Sequence, residues 1–212
     1  MPSPNSRLTD QIEQLLATDG PLRIVSAGEP VLRAGTPPYE GQLSPALLAR
    51  LIDALRLTMH TAPGVGLAAP QVGVPLRIAV IEDPATVPAD IREARARVPQ
   101  PFRVLINPSY TGVGPTQATF YEGCLSVPGY QAVVTRPSEI HLTGEDEKGH
   151  PIDEHFSGWP ARIVQHETDH LDGMLYLDRA ELRSLTANEV LAERWTQATP
   201  GEAAEGLGFE LP

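Results

Sequence analysis

The sequence predicts an α+β fold, with strands and helices segregated rather than alternating. Three observations predict it. Five strand-like runs follow one another, at 76–82, 103–108, 116–122, 130–136 and 139–146. A helix carrying residues 160–173 comes only after them, so the chain lacks the βαβ repeat of a parallel sheet. The 22 prolines and 18 glycines among 212 residues favour turns and irregular connections over long regular elements.

Taken in order, residues 1–20 are polar, with one short helical stretch, "TDQIEQLLAT", and read as a loosely attached N-terminal extension. "PLRIVSAGEPVLR" follows and runs into the Gly/Pro-rich "AGTPPYEGQL". The clearest helix is 44–64. Ser44 suits the N-cap, and Pro45 suits the first helical position, where its missing N–H costs nothing. Leu47, Leu48, Leu51, Ile52, Leu55 and Met59 keep a helical period and form an apolar stripe assigned to the core. Pro63 and Gly64 stop it. The strand-like runs are rich in Val, Ile, Thr and aromatic residues, and the first two are separated by a Pro-bounded insertion, 84–101, expected on the surface. A second helix starts near Pro160 and ends at Gly173. A third, "TANEVLAERW", is expected to pack on the outside, and the tail 196–212 is expected to be flexible.

The formal charge of −11 argues against broad electrostatic binding to nucleic acid or to an anionic membrane. No stretch approaches the roughly 20 apolar residues of a membrane helix, and the N-terminus shows no apolar signal region. The single cysteine, Cys124, excludes an intrachain disulfide. These features point to a cytoplasmic, reducing compartment.

Chemistry concentrates in "QHETDH", 165–170. Positions i and i+4 share a helix face, so His166 and His170 can bind one ion. Glu167, directly after the first histidine, stands where H-E-x-x-H sites place a general base. A pair of surface histidines on a charged helix is the bland alternative. The third ligand decides the chemistry. Downstream, the extended pattern of peptidases fails, because Tyr176 stands where a last histidine would be. Upstream, "YEGCLSVPG" carries Cys124 in a turn. A thiolate and two imidazoles leave a fourth position open, as a catalytic ion requires, and the set suits zinc or Fe(II). The commoner fate of a lone cysteine is that of a small buried hydrophobe. "GVGLAAPQVG", 64–73, is not a dinucleotide loop, since it follows a helix and opens a strand. Its glycines serve a tight turn or a close backbone approach. Val65 and Gly66 suit main-chain pairing with an extended peptide. Gln71 offers a neutral amide donor.

In order and spacing, "GVGLAAPQVG", "EGCLSVPG" and "QHETDHLDG" resemble the three signature motifs of the peptide deformylase family. The resemblance spans roughly residues 21–180, which implies a catalytic domain over 21–180 between the extension 1–20 and a C-terminal helix with a flexible acidic tail, 181–212. It implies small antiparallel sheets packed around a central H-E-x-x-H helix. It also implies a hydrolase that releases formate from N-formylmethionyl nascent peptides, with transient proximity to the ribosome. By resemblance, Cys124, His166 and His170 hold Fe(II) in the cell, with zinc, nickel or cobalt able to replace it in purified protein. Water activated there attacks the formyl carbon, Glu167 acts as general base and then acid, and Gln71 with the Leu125 N–H meets the oxyanion. Val65, Gly66, Glu122 and Ile163 are the substrate-contact candidates, and His166 joins Val65 and Ile163 around the methionine side chain. Glu122 and Arg136 form either an ion pair bracing the cysteine turn or two independent surface charges. The chain departs from the pattern at Gln131, where several members carry an arginine. It departs again in 196–212, which holds no Lys or Arg where some members end in a basic ribosome-docking helix.

Three rival readings remain at this point: a zincin-like endopeptidase indifferent to Cys124, a binding protein with a structural metal, and a thiol hydrolase using Cys124 as nucleophile.

Overall fold

The computed structural model describes residues 4–212; residues 1–3 of the expected N-terminal extension lie outside the described residues. The helices are α1 (Pro4–Leu15), α2 (Pro45–Thr61), α3 (Ala89–Ala94), α4 (Gly158–Leu171), α5 (Asn188–Arg194) and α6 (Gly201–Leu207). The strands are β1 (Gly66–Ala68), β2 (Ile78–Asp83), β3 (Gln100–Gly112), β4 (Gln117–Cys124), β5 (Val127–Pro137), β6 (Glu139–Glu145), β7 (Pro151–Ser157) and β8 (Ala180–Ala187). They form two sheets, a five-stranded one ordered β1-β2-β3-β6-β7 and a three-stranded one ordered β4-β5-β8. Every pairing is antiparallel. The architecture is α+β, as the order of elements predicts.

α2 forms where its signals lie. The Ser44 hydroxyl accepts the Leu47 N–H at 3.3 Å, and Pro45 opens the first turn. The stripe Leu47, Leu48, Leu51, Ile52, Leu55 and Met59 is buried against Leu67, Val72, Ile78 and Val80. At about 1.5–3 kcal/mol per buried side chain, this face rather than helix propensity holds α2 in place. α4 carries two faces. Ala161, Val164 and Leu171 pack on the large sheet with Ala79, Ile81, Leu105 and Leu142. Arg162, His166 and Asp169 turn toward β4 and β5 of the small sheet.

Several expectations need correction. The N-terminal segment is anchored: Ile12 is fully buried in the α2 cluster, and Gln11 donates to the Gly73 carbonyl at 2.9 Å. The acidic tail is folded onto the domain. It forms α6, and Ala203, Ala204 and Phe209 bury against Tyr121 and Val133 of the small sheet. Small residues hid this docking, since Gly206 and two alanines carry little apolar signal. Gly206 is needed there, because a Cβ would come within 2.6 Å of the Trp195 ring.

The third helix starts late, at Asn188, because Ala180–Ala187 is a strand. Its buried positions are Ser184 and Thr186, so it shows no apolar alternation; the Ser184 hydroxyl accepts the Val133 N–H at 2.6 Å. β7 buries only Ile152 and Phe156, and β1 is three residues long, so neither leaves a periodic trace in the sequence. The 84–101 insertion is not merely a surface excursion. Arg97 makes a bidentate ion pair with fully buried Asp83 at 2.8 and 2.9 Å, and Gln100 begins β3.

Candidate metal centre and active-site cleft

His166 and His170 sit one turn apart on α4, with ring centroids 4.9 Å apart and planes at 83°. Cys124 ends β4, and the two-residue turn Leu125–Ser126 returns the chain to β5 at Val127. That hairpin delivers Sγ to 3.2 Å from His170 Nε2. One ligand atom from each of Cys124, His166 and His170 lies within 4.8 Å of the others. Metal–sulfur and metal–nitrogen bonds of about 2.0–2.3 Å put tetrahedral ligand atoms roughly 3–4 Å apart, so the three donors fit one ion.

The charges around the donors suit a cation. Burial alone disfavours a positive charge at His166, but Cys124 and Glu122 outweigh it and raise that ring well above its usual value, a bias toward positive charge that a cation at Nε2 would satisfy in place of the proton. Burial, His166 and Arg136 push His170 well below the usual histidine range. Glu122 accepts His166 Nδ1 at 3.2 Å, which leaves Nε2 for a metal. Tyr176 stacks on the His166 ring at 6.4 Å and 21°, and its hydroxyl donates to the Tyr130 carbonyl at 3.1 Å.

Glu122 and Arg136 are a buried ion pair, not two surface charges. Arg136 donates to Glu122 at 2.7 and 3.0 Å and to Asp169 at 2.7 Å. Arg162 also donates to Glu122, while Arg179 and Tyr110 complete Asp169 at 2.9 and 2.8 Å. Burial pushes Glu122 up, but Arg136, His166 and Arg162 hold its carboxyl far below the usual range. Glu122 therefore belongs to the cleft wall but spends its carboxylate inward, on the cysteine hairpin and the first histidine, rather than on a substrate.

The cleft beside these donors has a volume of about 550 Å³. Val65, Gly66, Gln71, Glu122, Cys124, Leu125, Ile163, His166 and Glu167 all line it, and His170 sits behind. Glu167 is 4% exposed, and burial raises its carboxyl to about 7, against the pull of His166 and Arg136. Its Oε2 has no hydrogen-bond partner among the described residues. Gly66 makes room for it: a Cβ there would come to 2.2 Å from Glu167 Oε1. The Gln71 carbonyl accepts the Ala68 N–H at 2.8 Å, which turns its amide nitrogen toward Cys124 Sγ at 3.5 Å and Ser126 Oγ at 3.4 Å.

β1 is one of the two edge strands of the large sheet, but the two candidate residues at its start, Val65 and Gly66, are not equivalent. The Val65 carbonyl already accepts the Glu82 N–H at 3.0 Å. Alternation along an antiparallel strand then turns the main-chain groups of Gly66 to the open edge. Val65 offers its side chain instead.

Sequence reasoning missed Arg162, Asp169, Tyr110, Tyr176 and Arg179. One signal was available for Arg162, which precedes His166 by four residues and so shares its helix face. The others depend on partners distant in sequence.

The family model for polypeptide deformylase matches residues 21–185 of the chain. Peptide deformylase 3 of Streptomyces avermitilis is 70% identical over 205 residues, 97% of this chain and 92% of its own. Peptide deformylase 1 of Streptomyces coelicolor is 66% identical over 211 residues, 100% of this chain and 97% of its own. Among solved structures, the Met-Ala-Ser-bound class I type b peptide deformylase of Acinetobacter baumannii aligns with a TM-score of 0.68 at 32% identity, covering 76% of this chain and 99% of that one. The peptide deformylase of Thermotoga maritima aligns with a TM-score of 0.65 at 32% identity, covering 77% and 99%.

Proposed function

The chain belongs to the polypeptide deformylase family, metal-dependent hydrolases that remove the N-formyl group from nascent peptides, and from that premise we propose how its own residues carry the reaction. The observation that carries the reading is a buried carboxylate oxygen without a hydrogen-bond partner among the described residues, Glu167 Oε2, beside the three converging donors of Cys124, His166 and His170.

Cys124, His166 and His170 would hold the ion, which we assign as Fe(II) in the cell, with zinc, nickel or cobalt able to take its place in purified protein. When bound, such an ion polarises a carbonyl and lowers the pKa of water. Glu167 accepts the proton of the attacking water and passes it to the leaving amine nitrogen as the carbon–nitrogen bond breaks, so that formate and a free amino terminus result. The Gln71 amide and the Leu125 N–H donate to the oxygen that becomes negative; a single such donor is worth about 2.7–4 kcal/mol. Gly66 pairs main chain to main chain with the peptide, a contact indifferent to its sequence. Val65, Ile163 and the His166 ring wall the methionine side chain. Glu122 acts through His166 and the hairpin.

The substrate is a formylated nascent peptide, so we place the enzyme in the cytoplasm, near the ribosome during translation. In support, no helix among the described residues is long and apolar enough to cross a membrane. The tail has no basic residue with which to dock, so that proximity rests on the substrate.

The test is formate release from N-formyl-Met-Ala-Ser, measured without oxygen and with metal supplied, on wild type and Glu167→Ala. Wild type is expected to turn over. Glu167→Ala should bind the same amount of metal and lose about 10²–10⁴-fold in rate. A wild type that releases no formate under those conditions overturns the reading.

A further inference from the structure

The cleft wall contains a cation that the reaction above does not use. Arg95 lines it, supplied by the 84–101 insertion. Its guanidinium lies 4.6 Å from the Trp159 ring centroid and 5.6 Å from that of Phe120. Its neighbours Arg97 and Arg162 share the Trp159 ring at 5.5 and 5.7 Å. Those two are neutralised, Arg97 by Asp83 and Arg162 by Glu122. Among the described residues Arg95 has no carboxylate partner and no acceptor for its guanidinium, and its Nε is buried unpaired.

The position is built rather than accidental. The insertion docks on the start of α4, where the Trp159 N–H donates to the Ala96 carbonyl. Gly158 permits this approach. It has a φ of +62°, and a Cβ there would stand 2.5 Å from the Ala96 oxygen. Two aromatic faces hold a guanidinium in one orientation while leaving its edge open to a planar anion. Burial and the two neighbouring arginines pull Arg95 down to about 10, a penalty that an anion would relieve. Beyond Arg95 the groove continues into a small cavity of about 40 Å³ that shares Arg95, Tyr121 and Gln131 with the main cleft. A peptide leaving the donors in this direction passes the uncompensated charge.

We propose that Arg95 is a specificity-determining residue for deformylation, receiving the carboxylate of an aspartate or glutamate in the first residues after the formylmethionine. The inference rests on the deformylase reading above. It gives this chain, negative overall at −11, a local preference for acidic nascent peptides that its net charge would otherwise repel.

The test compares kcat/KM on C-terminally amidated formyl-Met-X-Ser and formyl-Met-Ala-X, with X being Glu, Gln or Lys. Amidation removes the terminal carboxylate; a parallel set with free termini shows what that group contributes. Glu is expected to exceed Lys by about tenfold at one of the two positions, mostly through KM, and less at high salt. Arg95→Gln should bring that ratio close to one, whatever its overall rate, and Arg95→Glu should reverse it. An unchanged ratio in Arg95→Gln overturns the proposal. So does a wild type without charge preference at either position, or one that responds only to the free terminus. If no formylated peptide is turned over at all, the deformylase reading itself fails, and this inference with it.

Discussion

Gly66 and Glu122 show how single residues position the chemistry of this site. Glu167 occupies the space a Cβ on Gly66 would fill, at 2.2 Å. Gly66→Ala is therefore expected to displace the carboxylate by about an ångström and to cost on the order of 10²-fold in kcat/KM, with metal content unchanged. Steady-state rates beside elemental analysis check this; equal rates would mean that Glu167 can act from a second position. Glu122→Gln leaves Arg136 and Arg162 buried against a neutral amide. The expected cost is about 3–5 kcal/mol of stability, with metal affinity weakened about 10–100-fold through His166. Denaturant melts and metal competition read the two effects separately. The i, i+4 spacing and the adjacent glutamate marked His166, His170 and Glu167 as candidates from local sequence. The sequence offered the pairing of Glu122 with Arg136 as one of two alternatives, but nothing local marks Arg162 and His166 as its further partners, because those contacts span 40 and 44 positions.

At the scale of elements, legibility followed apolar periodicity. α2 was readable because its cap, its leading proline and its stripe agree. Leu55 is fully buried there, and Leu55→Ala is expected to destabilise the fold by about 2–5 kcal/mol in a denaturant titration. β8 and α6 were not readable, since one buries hydroxyls and the other buries alanines. β8 is nevertheless the third strand of the small sheet that carries the cysteine hairpin, and α6 packs on that sheet. Truncation before Gly201 uncovers Tyr121 and Val133 and is expected to lower Tm by several degrees by calorimetry. A truncated chain with an unchanged Tm would restore the picture of a dispensable tail.

At the scale of the whole molecule, the two sheets set the metal centre. The small sheet contributes Cys124, and α4, packed on the large sheet, contributes both histidines. Chelation is expected to abolish formate release, and anaerobic Fe(II) to restore it. Cys124→Ala should lose metal and turnover together, whereas a zincin-like endopeptidase would keep both. A thiol hydrolase would instead survive chelation and die on alkylation.

Sequence alone pointed to the α+β class, the start and the apolar face of α2, the strands between 76 and 146 and the histidine pair with its glutamate, because periodicity, caps and i, i+4 spacing are local properties. Only the tertiary structure decided that Glu122 turns inward, that the tail docks, and that an insertion expected on the surface places Arg95 in the cleft. Those outcomes depend on sheet register and on ion pairing between distant segments, and neither leaves a periodic trace along the chain.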